Sequence, residues 1–237
     1  MRKWFKRAAG ALALAILSYA ALAYFFTPYA RILAAFNQYK QSQVAGDCTL
    51  EASVISSDLL DFFDRQRQAA LTAEKSALTS QPFMERSMTL ALRNAVHKGQ
   101  MSIADFRQGD SRAFFISARK AIGQPAPSAR HWSLFAVLPT GPGHAIGVLD
   151  PAGEGLFSPV TWIALLFGPT RFDFKRVEGR WLIDPTRAMR HSAREHEYYE
   201  RAMDATGENY LAHWLKIADP AQLDALWKPL QQDGVRQ

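Results

Sequence analysis

An α+β domain carried behind a membrane-crossing helix is the architecture this 237-residue sequence predicts, on three observations. Ala8 to Phe26 runs nineteen residues without a charge, behind Arg2, Lys3, Lys6 and Arg7. Residues 30–122 place apolar side chains at helical spacing, whereas residues 131–184 place them in short runs cut by Gly and Pro. A last section, 185–237, returns to helical spacing. Helices first, strands second and helices last indicate several helices packed on an antiparallel sheet, with C-terminal helices added. The chain thus divides into a cytoplasmic stub with a transmembrane anchor (1–29), an α+β domain (30–184) and a helical extension (185–237). With 48% hydrophobic and 21% charged residues, it has the apolar mass to bury a core, which argues against disorder for most of its length.

The first segment sets the compartment. Nineteen apolar residues are about what a helix needs to cross ~30 Å of hydrocarbon. Cations stay on the cytoplasmic side, so the N-terminus is expected inside and the remainder in the periplasm of a bacterium. A cleaved signal peptide fits some of the same residues, because Ala21-Leu22-Ala23 is an A-x-A site, and it would make the protein secreted. The run continues through Tyr24, Phe25 and Phe26, and Tyr29 then suits an aromatic interface belt, which favours a retained anchor in the inner membrane. Of the formal net charge of +6, four positive charges precede the apolar run and only +2 remains for the rest, which has no basic run. Nucleic acid is therefore not an expected partner. Cys48 is the single cysteine, which excludes an internal disulfide and any CxxC site; a small buried apolar residue is the main reading, with a thiol nucleophile or an intermolecular bridge as the others.

Element by element, Asp47 and Ser56-Ser57 are N-cap candidates, and Leu59, Leu60, Phe62, Phe63, Ala70 and Leu71 then share one helical side. Pro82 opens a helix with Met84, Met88, Ala91, Leu92 and Ala95 on its stripe. Ser102 to Asp105 reads as a capping box, and Phe114 to Ile122 as a helix stopping at Gly123. Residues 123–130, with two prolines and a glycine, predict a linker without regular structure. Strands are expected at His131–Leu138, Gly143–Asp150, Val160–Phe167, Arg171–Val177 and Arg180–Ile183, with Val160–Phe167 equally readable as a helix. Their short connections require antiparallel neighbours. Asp219-Pro220-Ala221-Gln222 is a helix start, followed by Leu223, Leu226, Trp227 and Leu230 on one face.

The hairpin Phe174 to Asp184, a basic-aromatic strand, a Glu178-Gly179 turn and then Arg-Trp-Leu-Ile-Asp, resembles the closing hairpin of NTF2-like (cone-fold) domains. Ala45-Gly46-Asp47 followed by helices is similar to that family's helix-turn opening. The resemblance covers about Ile32 to Asp184 and implies helices lying against a strongly bent sheet. It also implies two kinds of function: dehydratase-, isomerase- or hydrolase-like catalysis using Asp and His in the cone, or binding and assembly without a reaction. Envelope-spanning members with one N-terminal membrane helix match the layout.

Candidate chemistry is sparse. Trp132, Phe135, His144, Trp162 and Asp173 are candidates for lining a pocket on the concave face, with core packing the competing account of the aromatic residues. His191 and Glu195 are four apart on one helical face, but His196 points about 100° away, so a solvated charged helix accounts for the cluster better than a metal site. Trp214 and Trp227 are candidates for a partner-docking face. No GxSxG, HExxH, P-loop or dinucleotide fingerprint occurs, so no catalytic residue, metal or cofactor is nominated. The function expected is a single-pass inner-membrane protein whose periplasmic domain binds or assembles without catalysis; the alternative is a small-molecule enzyme using the cone pocket. Expected partners are the lipid bilayer through the N-terminal helix, and an envelope protein or a small apolar ligand.

Overall fold

A computed structural model describes residues 18, 28–107, 109–123, 126–150, 171–203 and 208–231. The expected anchor at Ala8 to Phe26, the Val160–Phe167 segment and Trp162 lie outside the described residues, as do the side chains of Phe135, His191 and Glu195. Among the described residues no helix is long and apolar enough to cross a membrane.

Residues 28–45 form α1. It is followed by α2 (Cys48–Val54), α3 (Ser57–Thr72), α4 (Lys75–Thr79), α5 (Phe83–His97), α6 (Ile103–Arg107) and α7 (Ser111–Ile122). Four strands come next: β1 (Ser133–Gly141), β2 (His144–Asp150), β3 (Arg171–Val177) and β4 (Arg180–Asp184). The described chain closes with α8 (Thr186–Met203), α9 (Glu208–Leu215) and α10 (Pro220–Leu226). The sheet is an antiparallel meander in the order β1-β2-β3-β4, curled, with the helices packed on it. Two irregularities in β1, between Leu134 and Ala136 and between Pro139 and Gly141, add the local twist that curls a sheet.

Several helix starts follow directly from local chemistry. Asp47 Oδ1 accepts from the Thr49 and Leu50 amides, and Asp219 Oδ1 accepts from the Ala221 amide next to Pro220. Ser102 and Asp105 make the reciprocal capping bonds, amide to carboxylate at 2.7 Å and amide to hydroxyl at 3.3 Å. Ser56 departs from expectation. It occupies the N-cap position of α3, but its hydroxyl makes no capping bond; its backbone amide instead donates to the Ile183 carbonyl at 2.7 Å, because the chain is held against β4 there. The supposed linker also departs: Pro127–His131 forms a 3-10 helix, opened by a proline whose missing N–H would have had no partner anyway. Gly123 ends α7 through space, since a Cβ would stand 2.3 Å from the Arg119 carbonyl oxygen.

Two apolar clusters form the interior. The first joins α1, α2, α3 and α7 to the inner face of the sheet, where Phe172 and Phe174 alternate with outward residues and Ile183 is fully buried. Gly147 permits this packing, because a Cβ there would lie 2.5 Å from the Phe174 ring. The second joins Leu78, Phe83 and Leu90 of α4 and α5 to Leu211, Leu215, Leu223, Leu226 and Trp227. The section after 185 is therefore packed on the helices that precede the sheet, and α5 serves both clusters.

Arg93 of α5 stands between them, fully buried. Its Nε donates to the Ala70 carbonyl at 3.0 Å, Nη2 to Ala69 at 2.9 Å and to Ala73 at 2.6 Å, and Nη1 to Leu226 at 3.0 Å. These carbonyls lie at the C-terminal ends of α3 and α10; Ala69 and Ala70 also accept from the Ala73 and Leu230 amides, at 2.9 and 3.2 Å, so Arg93 supplies a second donor there. Burial draws the guanidinium pKa down to about 10, so it remains charged at neutral pH.

Removing this cation strands buried carbonyls. Arg93→Met should cost about 3–5 kcal/mol, and Arg93→Lys, with fewer donors and no planar fork, about 1–3 kcal/mol, both read from urea unfolding. A gain is expected at the hairpin, where Glu178 has φ +49° and Gly179 φ +82°, the two positive values of a type I′ turn. Glu178→Asn should stabilise by about 0.5–1 kcal/mol and raise Tm by about 2 °C, measured by thermal unfolding.

Candidate functional site

The sheet ends at two neighbouring hairpin tips, and an apolar groove opens there. The β1–β2 turn at Pro142-Gly143 and the β3–β4 turn at Glu178-Gly179 lie at the same end, tied together by the Arg176 amide donating to the Gly143 carbonyl at 2.8 Å. Facing them is the first turn of α1. The groove, of about 550 Å³, has walls of Pro28, Tyr29 and Ile32 from α1, Val137 and Pro139 from β1, and Trp181 from β4. His144 and Arg176 supply its side-chain nitrogens. A cavity of this size and mainly apolar lining falls in the range that takes small ligands.

Of the pocket candidates read from sequence, His144 reaches this groove. Asp173 does not: the β2–β3 register puts it opposite Ile146, on the face away from Phe172 and Phe174, where Arg187 Nη1 stands 3.4 Å from its Oδ1. Trp132 packs into the first core, its ring 6.4 Å from that of Phe172, and its carbonyl accepts from Lys40 Nζ at 2.8 Å. The two docking candidates are engaged internally. Trp227 is 5% exposed, beneath Lys75, and Trp214 stacks edge-on to Phe83. Trp181, Tyr29 and Arg176 are not pocket candidates by sequence; Tyr29 reads there as an interface-belt residue. Trp181 was in view as hairpin bulk, but nothing in its spacing marks a cavity.

A second cleft, of about 440 Å³, runs between α3, the start of α5 and α8. Its lining mixes Asp58, Asp61 and Glu85 with Arg65, Arg190 and Arg194, over Phe62, Met84 and Met189. At one end Lys175 of β3 bonds to Asp58 and lies 3.4 Å from Oδ2 of Asp184. Asp184 is buried, and its Oδ1 accepts from the Thr186 amide at 3.0 Å, tying it to the start of α8. The hydrogen bond from Lys175 holds the Asp58 carboxyl below the usual carboxylate range, and the same bond raises Lys175 above the usual amine value. A fully charged lysine and a fully charged aspartate suit an ion pair that fastens α3 to the sheet; a nucleophile or general base needs the opposite shifts.

Other titratable groups have structural employment. His196 stacks on Phe83 with centroids 5.0 Å apart and bonds through Nδ1 to the Tyr210 hydroxyl, so it belongs to the packing of α8 and α9 on α5. Cys48 is buried; burial pushes its thiol pKa up, against a smaller downward pull from Arg119. Among the described residues no group of three or more His, Cys, Asp or Glu is placed to hold a metal. Compared with family models, curated proteins and solved structures, the chain matches none.

The Lys175–Asp58 pair gives a pH signature. Asp58, lowered by folding, contributes stability above about pH 4 that is lost as pH falls through its folded pKa. Lys175, raised by folding, contributes stability below about pH 10.4 that is lost as pH rises through its folded pKa. Lys175→Met should lower the urea midpoint at pH 7 and shrink the fall at both ends of a pH 3–11 series.

Proposed function

We propose that this chain is a single-pass inner-membrane protein whose periplasmic domain, similar to NTF2-like cone domains, is a non-enzymatic binding or envelope-assembly module. The observation that carries the reading is the position of the apolar groove. Its first lining residue, Pro28, follows Phe26 by two positions, so the ligand site opens where the uncharged N-terminal run ends. Helices on a curled antiparallel sheet, together with the Glu178-Gly179 hairpin, support the cone likeness. A non-enzymatic role draws support from the state of the ionisable groups: the ion-paired Lys175 and Asp58 are locked in their charged forms. The dehydratase- or isomerase-like alternative needs an acid–base pair on one cavity wall, and Asp173, its expected member, faces away from His144's groove.

Occupancy of the groove is directly testable. Gly141 lines it, its φ is not left-handed, and a Cβ added there meets nothing within 4 Å, so Gly141→Trp adds bulk at the groove's wall without backbone strain. The full chain in amphipol should bind the apolar dye anilinonaphthalene sulfonate at least about tenfold more tightly than Gly141→Trp, a difference of about 1.4 kcal/mol. Equal affinities would remove the groove as the ligand site. An alkaline phosphatase fusion at the C-terminus should be active, and an inactive fusion would remove the compartment.

A further inference from the structure

The rim of the groove is unusual for a surface that faces only water. Leu138 is 54% exposed, Val177 45% and Tyr29 39%, and they stand at or beside the hairpin-tip end of the sheet. Arg31, Arg176 and Arg180 are exposed in the same region, and among the described residues none of them takes part in an ion pair. Glu178 in the turn is the one acid within the β3–β4 tip. Exposed apolar side chains, cations that make no ion pair among the described residues, and an apolar cavity therefore meet at one end of the sheet. That combination complements a phospholipid: cations for the phosphate, apolar walls for an acyl chain and aromatic side chains at the boundary.

Chain continuity selects the source of the lipid. Tyr29 and Ile32 line the cavity within six residues of Phe26, and the first charge after the apolar run is Arg31. With that run in a bilayer, the groove is held at the membrane surface, and an acyl chain can enter it without crossing water. We propose that the groove takes one acyl chain of an anionic phospholipid from the bilayer, with Arg176, the arginine that lines it, at the phosphate. This inference rests on the anchored reading given above. It names as occupant a bilayer lipid, in place of a free apolar ligand or a partner protein, and makes the anchor's neighbourhood part of the binding site.

The test uses the full chain in nanodiscs containing phosphatidylcholine and phosphatidylglycerol, with bromine carried mid-chain on one lipid or the other. Bromine quenches tryptophan on contact. Trp181 lines the groove, and subtracting the spectrum of Trp181→Phe isolates its emission from the other five tryptophans. Trp181 emission should fall by at least half with brominated phosphatidylglycerol, and several-fold less with brominated phosphatidylcholine in the same discs. Gly141→Leu should abolish the quenching by filling the groove. Arg176→Glu should erase the preference between the two lipids.

Retention in the discs through an alkaline wash is measured in parallel. A chain washed out would defeat the anchored reading, and the lipid assignment with it. A retained chain whose Trp181 is unquenched, or quenched equally in Gly141→Leu, would overturn the lipid assignment and leave the anchor standing. Equal quenching by the two lipids in the unmutated chain would overturn the choice of an anionic lipid.

Discussion

A single buried cation governs how this molecule is put together. Among the described residues the four acceptors of Arg93 are main-chain carbonyls from the ends of α3 and α10, with the Glu74 carboxylate acting on it through its charge. Helix C-termini carry partial negative charge and unused acceptors, so two of them aimed at one guanidinium can replace a counter-ion. The arrangement explains how α5 can present apolar residues to two sides without the two clusters separating. Leu92 and Ala95 face the first, Phe83 and Leu90 the second, and Arg93 joins the helices that frame both. The chain then returns to the same place: the Leu230 and Gln231 amides donate to the Ala70 and Leu71 carbonyls at 3.2 and 3.1 Å.

From that base the sheet inherits its position. The α2–α3 junction is stitched to β4 through the Ser56 amide and the Ile55–Ile183 bridge, and Lys175 fastens the first turn of α3 to β3. On the inner face, α1 lays Phe36 and Tyr39 against Phe172, with ring centroids 6.3 and 5.7 Å apart. Clamped from both directions, the hairpin tips have a fixed relation to the beginning of α1. The groove is the space left where α1 and the tips diverge, and so it depends on contacts well removed from its lining.

Much of the local architecture could be read in advance. Asp47, Ser102 with Asp105, and Asp219 act within three residues of themselves, and the Glu178-Gly179 turn is set by backbone sterics at two positions. The order of helices, strands and helices needs only apolar periodicity. What stayed hidden depends on distant residues. Arg93 is a cation within a helical stretch, which reads as solvated, and its decisive acceptor Leu226 lies 133 positions away. The groove draws on residues near 30, 140 and 180, whose meeting no spacing rule encodes. Ser56 looked like a cap because its residue type fits, and it does occupy the N-cap position, yet its hydroxyl makes no capping bond while its amide is engaged by Ile183 of β4. Asp173 sits mid-strand, with its carboxylate beside Arg187, whereas His144 reaches the groove from the strand end next to the turn; neither the ion pair nor the groove is encoded by spacing.

The tail that hooks onto α3 also constrains the order of assembly. Ribosomes and translocation channels release a chain from its N-terminal end, so α3 and α5 emerge long before the segment holding Leu226 and Leu230. Until that segment arrives, Arg93 has only the α3 carbonyls, and the cluster built on Phe83 and Leu90 lacks its opposite wall. Closure of both clusters around Arg93 therefore waits until the segment that holds Leu226 and Leu230 has emerged.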